Sequence, residues 1–456
     1  MKDIRVALWG FGAMGSGIGD MIASKDGLRL SGVCDVSEQL VGKDVYRYLG
    51  VERGDHEPLI ITDQIEDVVC KDCCDVVILS TDSFVSDQFD KIMFCLDRGV
   101  PVISTAEEMA WPWAQHPDLA HRIDDKAKAR GVAVLGTGIN PGFVLDYLIL
   151  ALTGTCRDVR SIEARRVNDL SPFGRAVMEE QGVGLTKSVF QEKMARGELA
   201  GHVGFPESIG MIASGMGVQI DDIEQTREAI YTSVERAAPH GEAKAGEVAG
   251  IRQQAIGRTA DGRTFIHLDH PQQILPEKEG EKTGDYLTIH ADGYDLNVSI
   301  VPEIPGGVGT IAMVVNMIPH VLKAKPGLRS MLDLPVPRAI LGSYADELTR
   351  DEKKRRNKGD EVIVSEVIMP SGKRAPQVPD DTKSVPLIAF TKGNLLEDYA
   401  EVGDEVRVKT LAGRTIRGTL TARPIAPQYD YGNVSPELRA VHQQVREILF
   451  GGEKHD

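Results

Sequence analysis

The sequence has no apolar run that approaches the roughly 20 residues needed to span a bilayer. Its first residues also lack the charged segment, apolar segment and small-residue cleavage site of a secretory signal. A membrane protein and a secreted protein are therefore both disfavoured, and we expect a cytoplasmic protein. The hydrophobic content of 42% and the charged content of 26% are ordinary for a folded globular chain.

Basic residues are fewer than acidic residues. The chain has 52 Lys and Arg residues against 68 Asp and Glu residues, which gives a formal net charge of −16. A surface of that sign repels nucleic acids and anionic membranes, so we expect neither as a partner. The one basic run, KKRRNK at 353–358, is flanked by acidic residues. Its simplest interpretation is a solvated linker rather than a nucleic-acid patch.

Cysteine is also scarce. The dense cysteine framework of a small secreted scaffold is absent, and we expect reduced thiols. The stretch CKDCC at 70–74 is followed by an apolar strand and by no second ligand pair at zinc-finger spacing, so no metal site is expected. The six cysteines are Cys34, Cys70, Cys73, Cys74, Cys95 and Cys156.

The stretch GFGAMG at 10–15 has the glycine spacing of a dinucleotide-binding loop. The pattern predicts a buried strand before the loop and a helix after it, which is the order that such a loop requires. Gly10 would permit the turn, Gly12 would let the backbone approach phosphate, and Gly15 would let the helix pack closely. A tight structural turn is the alternative, and we expect a bound nicotinamide dinucleotide. The predicted contacts in the loop are Gly10, Phe11, Gly12, Ala13, Met14 and Gly15.

An acidic residue follows the loop at the expected distance. The predicted second strand ends in Asp35, 20 residues after Gly15, where a carboxylate can accept the hydroxyl groups of the adenosine ribose. Asp35 would repel a 2′-phosphate, but Lys43 and Arg47 lie shortly downstream and could offset that repulsion. We expect NAD as the cofactor, with NADP use possible.

Alternating strands and helices continue beyond the first unit, with strands predicted over 75–81, 99–105 and 131–138. A helix is predicted over 83–96, with Asp82 as its N-cap. The pattern indicates an α/β Rossmann fold with a doubly wound parallel sheet, in which ligands bind beyond the carboxyl ends of the strands. The predicted cofactor contacts at those ends are Ser80, Thr81, Thr105, Gly138 and Asn140.

Two segments that leave these strand ends carry candidate functional groups. Glu107 and Glu108 could meet a substrate ammonium, or could serve only as a helix-opening acidic pair favoured by the macrodipole. Asn140 is predicted as a helix N-cap and Pro141 as the first helical residue. Such a helix end would suit the nicotinamide carboxamide or a substrate carboxylate, and simple capping is the alternative.

The pattern changes after the cofactor half to helices mixed with short alternating strands, which indicates an α+β substrate domain. In this domain His202 and Glu207 are titratable groups in a glycine-rich, apolar setting. The alternative is a structural histidine beside a helix that starts at Pro206. A long apolar helix over 303–322 is expected to return and pack against the cofactor domain.

Short alternating strands near the carboxyl end favour a small β-barrel or sandwich. Residues 374–387 hold three prolines and are predicted to form an extended loop, and a closing helix is predicted over 435–451. The predicted division is a Rossmann domain at 1–144, an α+β substrate and oligomerisation domain at 145–302, a returning helical segment at 303–345, a linker at 346–357 and a β domain at 358–456.

Five stretches, in one order along residues 1 to about 345, resemble the 2,4-diaminopentanoate dehydrogenase family, related more distantly to the dihydrodipicolinate reductases. They are GFGAMG, ISTAEEMAWPW, GTGINPGFVLD, GHVGFPESIGMI and IPGGVGTIAMVVNMIPHVL. Residues from roughly 358 to 450, including QYDYG and SPELRAVHQQVREIL, resemble a second family, the small alpha subunits of 2-amino-4-ketopentanoate thiolase.

The resemblance implies an enzyme of ornithine degradation whose first part oxidatively deaminates 2,4-diaminopentanoate at C4 with NAD or NADP. The products would be 2-amino-4-oxopentanoate, ammonia and the reduced cofactor. For the second part it implies the next step, in which a larger pyridoxal-phosphate (PLP) subunit cleaves the ketone with coenzyme A. The chain shows no convincing PLP lysine motif, so we expect that beta subunit as a separate partner. A homo-oligomer is also expected for such dehydrogenases.

Oxidation of a carbon that bears an amine requires the ammonium group to lose a proton. The candidate catalytic residues that could accept this proton and later activate water are His202, Glu207 and Glu108. The second amine and the carboxylate of the substrate need opposite charges. The predicted substrate contacts are Glu107, Asn140, Pro141, Arg165, Arg166 and Ser208.

Other classes of function stay open from the sequence. The chain could act mainly as a thiolase component with the dehydrogenase half as a scaffold. It could be a regulatory protein that binds dinucleotide without turnover. It could also be a related amino-acid dehydrogenase or reductase of the dihydrodipicolinate reductase type.

Overall fold

The computed structural model describes residues 3–54, 57–70, 72–199, 201–349, 356–375, 377–423 and 445. The chain divides into two compact units, Met1–Leu348 and Thr349–Asp456. Among the described residues, no helix is long and apolar enough to cross a membrane.

The elements up to residue 349 alternate between strands and helices over the first third and become mixed afterwards. The helices are α1 (Ala13–Ala23), α2 (Val45–Leu49), α3 (Ile65–Val68), α4 (Val85–Asp97), α5 (Pro117–Arg130), α6 (Tyr147–Thr153), α7 (Arg175–Glu180), α8 (Lys187–Ala195), α9 (Phe205–Met216), α10 (Gly306–Lys323) and α11 (Tyr344–Thr349). The strands are β1 (Ile4–Trp9), β2 (Leu28–Cys34), β3 (Val76–Leu79), β4 (Val102–Ser104), β5 (Ala133–Gly136), β6 (Val159–Asp169), β7 (Asp222–Tyr231), β8 (Arg236–Ala238), β9 (Gly241–Ala243), β10 (Val248–Arg258), β11 (Thr264–Gln273), β12 (Gly284–Ala291), β13 (Asp295–Ile300) and β14 (Gly327–Arg329).

The first sheet is parallel, with the order β14-β5-β4-β3-β1-β2. Its strands are short apolar runs because both faces are covered. Helices α1 and α10 pack on one face, and α4 and α5 pack on the other. The predicted Rossmann architecture is therefore confirmed. Its carboxyl edge is where β1, β3, β4 and β5 all end.

Helix α10 comes from the far end of the unit and lies directly on α1. A Cβ atom added to Gly17 of α1 would stand 2.4 Å from Cδ1 of Ile311 in α10, so the two helices meet where one of them lacks a side chain. The apolar residues of both helices belong to one core with the strands. The amino end of α10 consequently borders the carboxyl edge of the sheet.

The second sheet is mixed, with the order β13-β12-β6-β11-β10-β7, and only β6 and β11 pair in parallel. One face packs on α6 and α9 and forms a separate apolar core. Residues alternate across β6, so that Ala164 and Arg166 are buried and Glu163 and Arg165 are exposed. This arrangement confirms the predicted α+β substrate domain.

A buried ion pair joins this sheet to the segment that leads into α10. Arg166 and Asp285 are almost fully buried, and the guanidinium of Arg166 contacts the Asp285 carboxylate. Arg166 also donates to the carbonyl of Ile304 at 2.6 Å, and the Ile304 amide donates to Asp285 at 2.9 Å. The pair fixes β6, β12 and residue 304 together through partners that satisfy both charges.

Three local predictions are wrong: Asp82 does not cap α4, Asn140 does not cap a helix, and Pro141 is not the first residue of one. Helix α4 begins after Phe84, and Asp82 forms an ion pair with Lys91. The first amide of the helix, that of Val85, donates to the carboxylate of Glu108 at 2.8 Å. Asn140 is not a helix cap: residues 140–146 form turns, and Asp146 caps α6 by accepting from the Tyr147 amide at 2.6 Å. In each case a more distant or better placed carboxylate satisfies the amides.

The prediction of six reduced thiols is also wrong. Cys70 and Cys73 form a disulfide, because the turn between them brings their Cα atoms to 5.0 Å. Cys34, Cys74, Cys95 and Cys156 are free. Burial raises the pKa of the Cys74 thiol to about 11.

The second unit contains a small closed barrel of four strands, which confirms the predicted barrel. Valine and leucine side chains at alternate positions fill its interior. Residues 374–387 are not entirely extended, because a short helix, Asp380–Lys383, forms within them. Apart from residue 445, the predicted helix at 435–451 lies outside the described residues, as do residues 353–355 of the basic run. The elements are β15 (Arg356–Asn357), β16 (Glu361–Met369), α12 (Asp380–Lys383), β17 (Leu387–Leu395), β18 (Tyr399–Ala400), β19 (Glu405–Lys409) and β20 (Thr415–Leu420).

The substitution Asp285→Ala is expected to lower the free energy of unfolding of the first unit by about 3–5 kcal/mol, because it leaves the buried charge of Arg166 without its partner. Urea unfolding followed by tryptophan fluorescence measures this unit, since all three tryptophans lie in it.

Asp295→Ala is the matched control for this experiment. Asp295 makes exposed ion pairs with His290 and Arg160, so its loss should cost less than about 1 kcal/mol. An Asp285→Ala protein as stable as the control would show that the buried pair does not stabilise the fold.

Candidate functional site

A cleft of about 240 Å³ lies beyond the carboxyl ends of the parallel strands. Parallel α/β sheets bind ligands at this edge. The described lining includes eight residues that the sequence predicted for the cofactor or the substrate, together with three that it did not. The lining residues are Met14, Ser80, Thr81, Asp82, Ser83, Thr105, Glu107, Gly138, Asn140, Pro141 and Thr310.

The glycine loop is shaped by close backbone contacts. Gly10 has φ +97°, and a Cβ atom there would stand 2.8 Å from the carbonyl oxygen of Ser80. A Cβ atom at Gly15 would stand 2.1 Å from the carbonyl oxygen of Gly10. Neither position tolerates a larger residue, so α1 begins against the ends of β1 and β3.

Gly12 differs from its neighbours in the loop. A Cβ atom there would meet no protein atom within 4 Å, so the fold itself does not require glycine at this position. Gly12 directly precedes α1, whose first turn has no side-chain cap and no acidic residue. The open space and the free amides suit a ligand phosphate. The residues present therefore fit a dinucleotide.

Asp35 lies beside this loop. Its carboxylate accepts the Phe11 amide at 2.5 Å and the Ser37 amide at 2.8 Å. The ring of Phe11 is buried and contacts Tyr48, and the Lys43 ammonium lies 5.6 Å from the Tyr48 ring. One carboxylate and one cation thus stand at the adenosine end of the predicted cofactor position.

His202 lies next to the cleft and contacts one of its lining residues. Its Nε2 atom is 3.1 Å from Nδ2 of Asn140, and its ring meets the His270 ring at a centroid distance of 5.0 Å. Gln253 holds its backbone in place, accepting the His202 amide at 2.7 Å and donating to its carbonyl at 3.0 Å. Burial and the nearby Arg166 charge lower the pKa of His202 to about 3. The imidazole is therefore neutral at neutral pH.

Asn140 has one partner and one unused acceptor. Its Nδ2 atom faces His202, whereas its Oδ1 atom is buried without a hydrogen-bond partner. An unsatisfied buried acceptor costs free energy, so this carbonyl is poised to accept a hydrogen bond from a ligand.

Three glutamates gather at and behind the cleft. Glu107 lines it, and burial raises the pKa of its carboxyl group. Gln115 donates to Glu207 at 2.9 Å and to Glu108 at 3.4 Å, and so joins the other two. Burial, with the charges of Glu108 and Glu107, raises the pKa of Glu207 to about 7. Its Oε2 atom is buried and has no hydrogen-bond partner.

Helix α9 brings Glu207 to this position. The residue before this helix, Gly204, packs against Pro141, which lines the cleft. A Cβ atom at Gly204 would stand 2.4 Å from Cδ of Pro141. Pro206 occupies the first turn of the helix, as the sequence predicts. Ser208 does not line the cleft, since its hydroxyl group donates to Asp146 at 2.9 Å and is fully buried.

The two predicted arginines do not line the cleft either. Arg166 is held in the buried pair with Asp285, and Arg165 lies on the opposite face of the sheet, paired with Asp269 and Glu281. A described cation that contacts the lining is Lys91, which donates to the cleft residue Thr81 at 3.0 Å. The sequence did not predict a role for Gln115, Gln253 or Thr310, because their hydrogen-bond partners lie far away in the chain.

The site contains no described metal centre. No group of three or more His, Cys, Asp or Glu side chains among the described residues could hold a metal ion. The described chemistry of the cleft consists of carboxyl, amide, hydroxyl and imidazole groups.

Three family models match successive parts of the chain. Residues 4–107 match the amino-terminal domain of dihydrodipicolinate reductase, residues 143–350 match the 2,4-diaminopentanoate dehydrogenase C-terminal domain, and residues 355–449 match AKP thiolase subunit OrtA.

Relatives agree with this division. The chain is 50% identical over 354 residues to a 2,4-diaminopentanoate dehydrogenase of Acetoanaerobium sticklandii, covering 77% of this chain and 99% of that protein. It is 46% identical over 101 residues to a 2-amino-4-ketopentanoate thiolase alpha subunit of the same organism, covering 22% of this chain and 97% of that protein. An amine dehydrogenase structure from Mycobacterium smegmatis shares the fold, with a TM-score of 0.66 at 24% identity over 75% of this chain and 98% of the other.

The sequence identity of 50% extends over 99% of the dehydrogenase relative. This chain also places a dinucleotide-type glycine loop at its cleft. The chain is therefore an NAD(P)-dependent dehydrogenase that belongs to the 2,4-diaminopentanoate dehydrogenase family and carries a thiolase alpha-subunit-like unit at its carboxyl end.

Proposed function

We propose that the first unit oxidises 2,4-diaminopentanoate at C4 to 2-amino-4-oxopentanoate, with release of ammonia and reduction of NAD or NADP. The observation that carries this proposal is the group of three glutamates, of which Glu107 lines the dinucleotide cleft and Glu108 and Glu207 lie behind it. Such a group suits a substrate with two ammonium groups. The name of the half-identical relative supports the same reaction. Chains of this family act on an amine, and the cleft offers the carboxylates that such a substrate needs.

The glycine loop and the amino end of α1 would hold the pyrophosphate of the cofactor, and Asp35 would hold the adenosine ribose. When bound, the nicotinamide supplies a hydride acceptor for the substrate carbon. Asn140 would use its free Oδ1 to accept from the carboxamide or from the substrate. Because Asp35 would repel a 2′-phosphate, we propose that NAD is preferred, with some use of NADP through Lys43.

Glu207 is the residue that we propose as the proton acceptor. A carboxyl group with a pKa of about 7 is partly ionised at neutral pH and can take a proton from an ammonium group. His202, with a pKa of about 3, is a poor acceptor at that pH. Its neutral ring would instead orient Asn140. Glu107, which lines the cleft, would attract the substrate ammonium, and Glu108 completes the negative cluster.

The second unit supports a further proposal about partners. Its likeness to a protein named as an alpha subunit favours association with a separate PLP-dependent subunit that consumes the ketone with coenzyme A. A homo-oligomeric state of the first unit and a cytoplasmic location are part of the same proposal. The two competing functions, a scaffold for the thiolase and a regulatory protein without turnover, predict no substrate-dependent reduction of cofactor.

One assay tests the reaction. The purified full chain, mixed with 2,4-diaminopentanoate and NAD, should raise the absorbance of reduced nicotinamide, with a higher kcat/KM for NAD than for NADP. Addition of the PLP subunit and coenzyme A should then consume the ketone. Absence of any reduction would rule out the dehydrogenase proposal, and a strong NADP preference would overturn the role given to Asp35.

Gly12→Val is expected to weaken NAD binding at least about tenfold, which is about 1.4 kcal/mol, because the new side chain fills the space beside the free amides of α1. The thermal midpoint without cofactor should stay unchanged, since no protein atom lies within 4 Å of the added Cβ. Calorimetric titration and thermal unfolding provide the two measurements.

Gly174→Val is the matched control. Gly174 also precedes a helix, has an ordinary negative φ and has no protein atom within 4 Å of an added Cβ. Equal NAD affinity in the Gly12→Val and Gly174→Val proteins would show that the loop does not hold the cofactor.

Glu207→Gln is expected to lower kcat by about a hundredfold, because the amide cannot accept the proton. In the wild type, protonation of Glu207 below about pH 7 removes the acceptor, so kcat should fall as the pH drops through that value. This acidic limb should be missing in the variant. Glu179→Gln, which changes an exposed glutamate of α7, should retain both the rate and the limb.

A further inference from the structure

One amide side chain joins two of the three glutamates. Nε2 of Gln115 is 2.9 Å from Oε1 of Glu207 and 3.4 Å from Oε1 of Glu108. Gln115 is exposed whereas Glu207 is fully buried, so the glutamine reaches its partners from the surface of the protein. Because an ionised carboxylate only accepts hydrogen bonds, the Nε2 atom of Gln115 is the end of the amide that faces both glutamates.

The turn that carries Gln115 is fixed against α9. The amide of Ala114 donates to the carbonyl of Trp111 at 3.1 Å, and a Cβ atom at Gly210 would stand 2.7 Å from Cδ1 of Trp111. Gly210 lies three residues after Glu207 in α9, and residues at that spacing share one side of a helix. The packing of Trp111 on Gly210 therefore brings the end of the turn beside Glu207.

The two carboxylate oxygens of Glu207 differ in their contacts. Oε1 accepts from Gln115, whereas Oε2 is buried and has no hydrogen-bond partner. In the proposed oxidation a proton leaves the substrate ammonium for a carboxylate oxygen, and the electron pair stays on the nitrogen, which becomes a neutral amine. Oε2 is the oxygen whose lone pairs are free to take that proton.

The hydrogen bond from Gln115 also acts on the ionisation of Glu207. Burial, with the charges of Glu108 and Glu107, raises the pKa of Glu207 to about 7. The donated hydrogen bond from Gln115 opposes this rise, together with a smaller contribution from the backbone amide of Glu207 itself. A donor to a carboxylate favours its charged form, and the charged form is the one that accepts a proton.

The other titratable groups near Glu207 contact different partners. The ring of His116 faces Glu108 at 3.1 Å, and Asp146 accepts from Ser208, the residue that follows Glu207 in α9. Among the contacts described for Glu207, none is to a cation. The ionised form of Glu207 is therefore supported by a neutral donor and not by an ion pair.

We propose that Gln115 positions the proton acceptor of this site: its amide holds Oε1 of Glu207 in the ionised form and leaves Oε2 to take the substrate proton. Gln115 acts through Glu207, so it is a positioning residue and not a catalytic one. Its second contact, to Glu108, keeps the amide in this orientation. The inference rests on the proposed amine oxidation with Glu207 as the acceptor.

The experiment measures kcat against pH in two variants of the full chain. Gln115→Leu donates no hydrogen bond, so the ionised form of Glu207 loses support and the acidic limb of kcat should move up by about one pH unit. At pH 7 the kcat of this variant should fall about fivefold. Gln115→Lys places an ammonium group beside Glu207, which favours the ionised form, so the limb should move to lower pH.

The exposed Gln191 of α8 provides the matched controls. Gln191→Leu and Gln191→Lys make the same changes of size and charge and should keep the wild-type limb. Because Gln115 is exposed, its two variants should also keep the wild-type thermal midpoint. If the leucine variant is unstable, the direction of the shift in Gln115→Lys decides the question by itself.

A merely structural role of Gln115 would lower kcat at every pH without moving the limb in opposite directions. The positioning role alone is overturned if the wild type is active with an acidic limb and that limb stays in place, or moves in the same direction, in both Gln115 variants. If the wild-type chain reduces no cofactor, the proposed oxidation fails and the positioning role fails with it. If the wild type is active without an acidic limb, Glu207 is not the acceptor and the role of Gln115 fails for that reason.

Discussion

The cofactor end of the site depends on one close contact between a helix and a loop. At Gly15 an added Cβ would stand 2.1 Å from the carbonyl of Gly10, and Gly10 itself abuts Ser80. A larger residue at either position would push α1 off the ends of β1 and β3 and turn its free amides away from the cleft. The remaining groups, from Thr105 to Asn140, then border the same opening because their strands end at the same edge.

The burial of negative charge is the second constraint on this molecule. Placing a carboxylate away from water disfavours its ionised form, which is why burial raises the pKa of Glu107 and Glu207. The two buried carboxylates differ in the number of their polar contacts. Glu108 contacts a backbone amide, a glutamine side chain and a histidine side chain, whereas one oxygen of Glu207 has no hydrogen-bond partner. An uncompensated carboxyl group beside a cleft is a feature of catalytic sites more often than of structural cores.

The two units correspond to two relatives, a 2,4-diaminopentanoate dehydrogenase and a 2-amino-4-ketopentanoate thiolase alpha subunit. The proposed product of the first unit is the compound in the name of the second relative. Among the described residues, each unit has an apolar core of its own, an α/β core in the first unit and a four-strand barrel in the second.

Local patterns in the sequence were enough to predict the strand, loop and helix around GFGAMG, the parallel sheet, and most of the cleft lining, because glycine spacing and apolar periodicity act between near neighbours. Which polar groups meet was decided only by the tertiary structure. Arg166 looked like a substrate ligand but lies in a buried pair with Asp285, and Glu108 caps a helix 23 residues away in the chain. The contact of Glu108 with His116 and the linkage through Gln115 depend on how the turns after β4 fold back onto α4 and α9. No sequence pattern encodes such partners, since burial and distance arise only when the elements pack together.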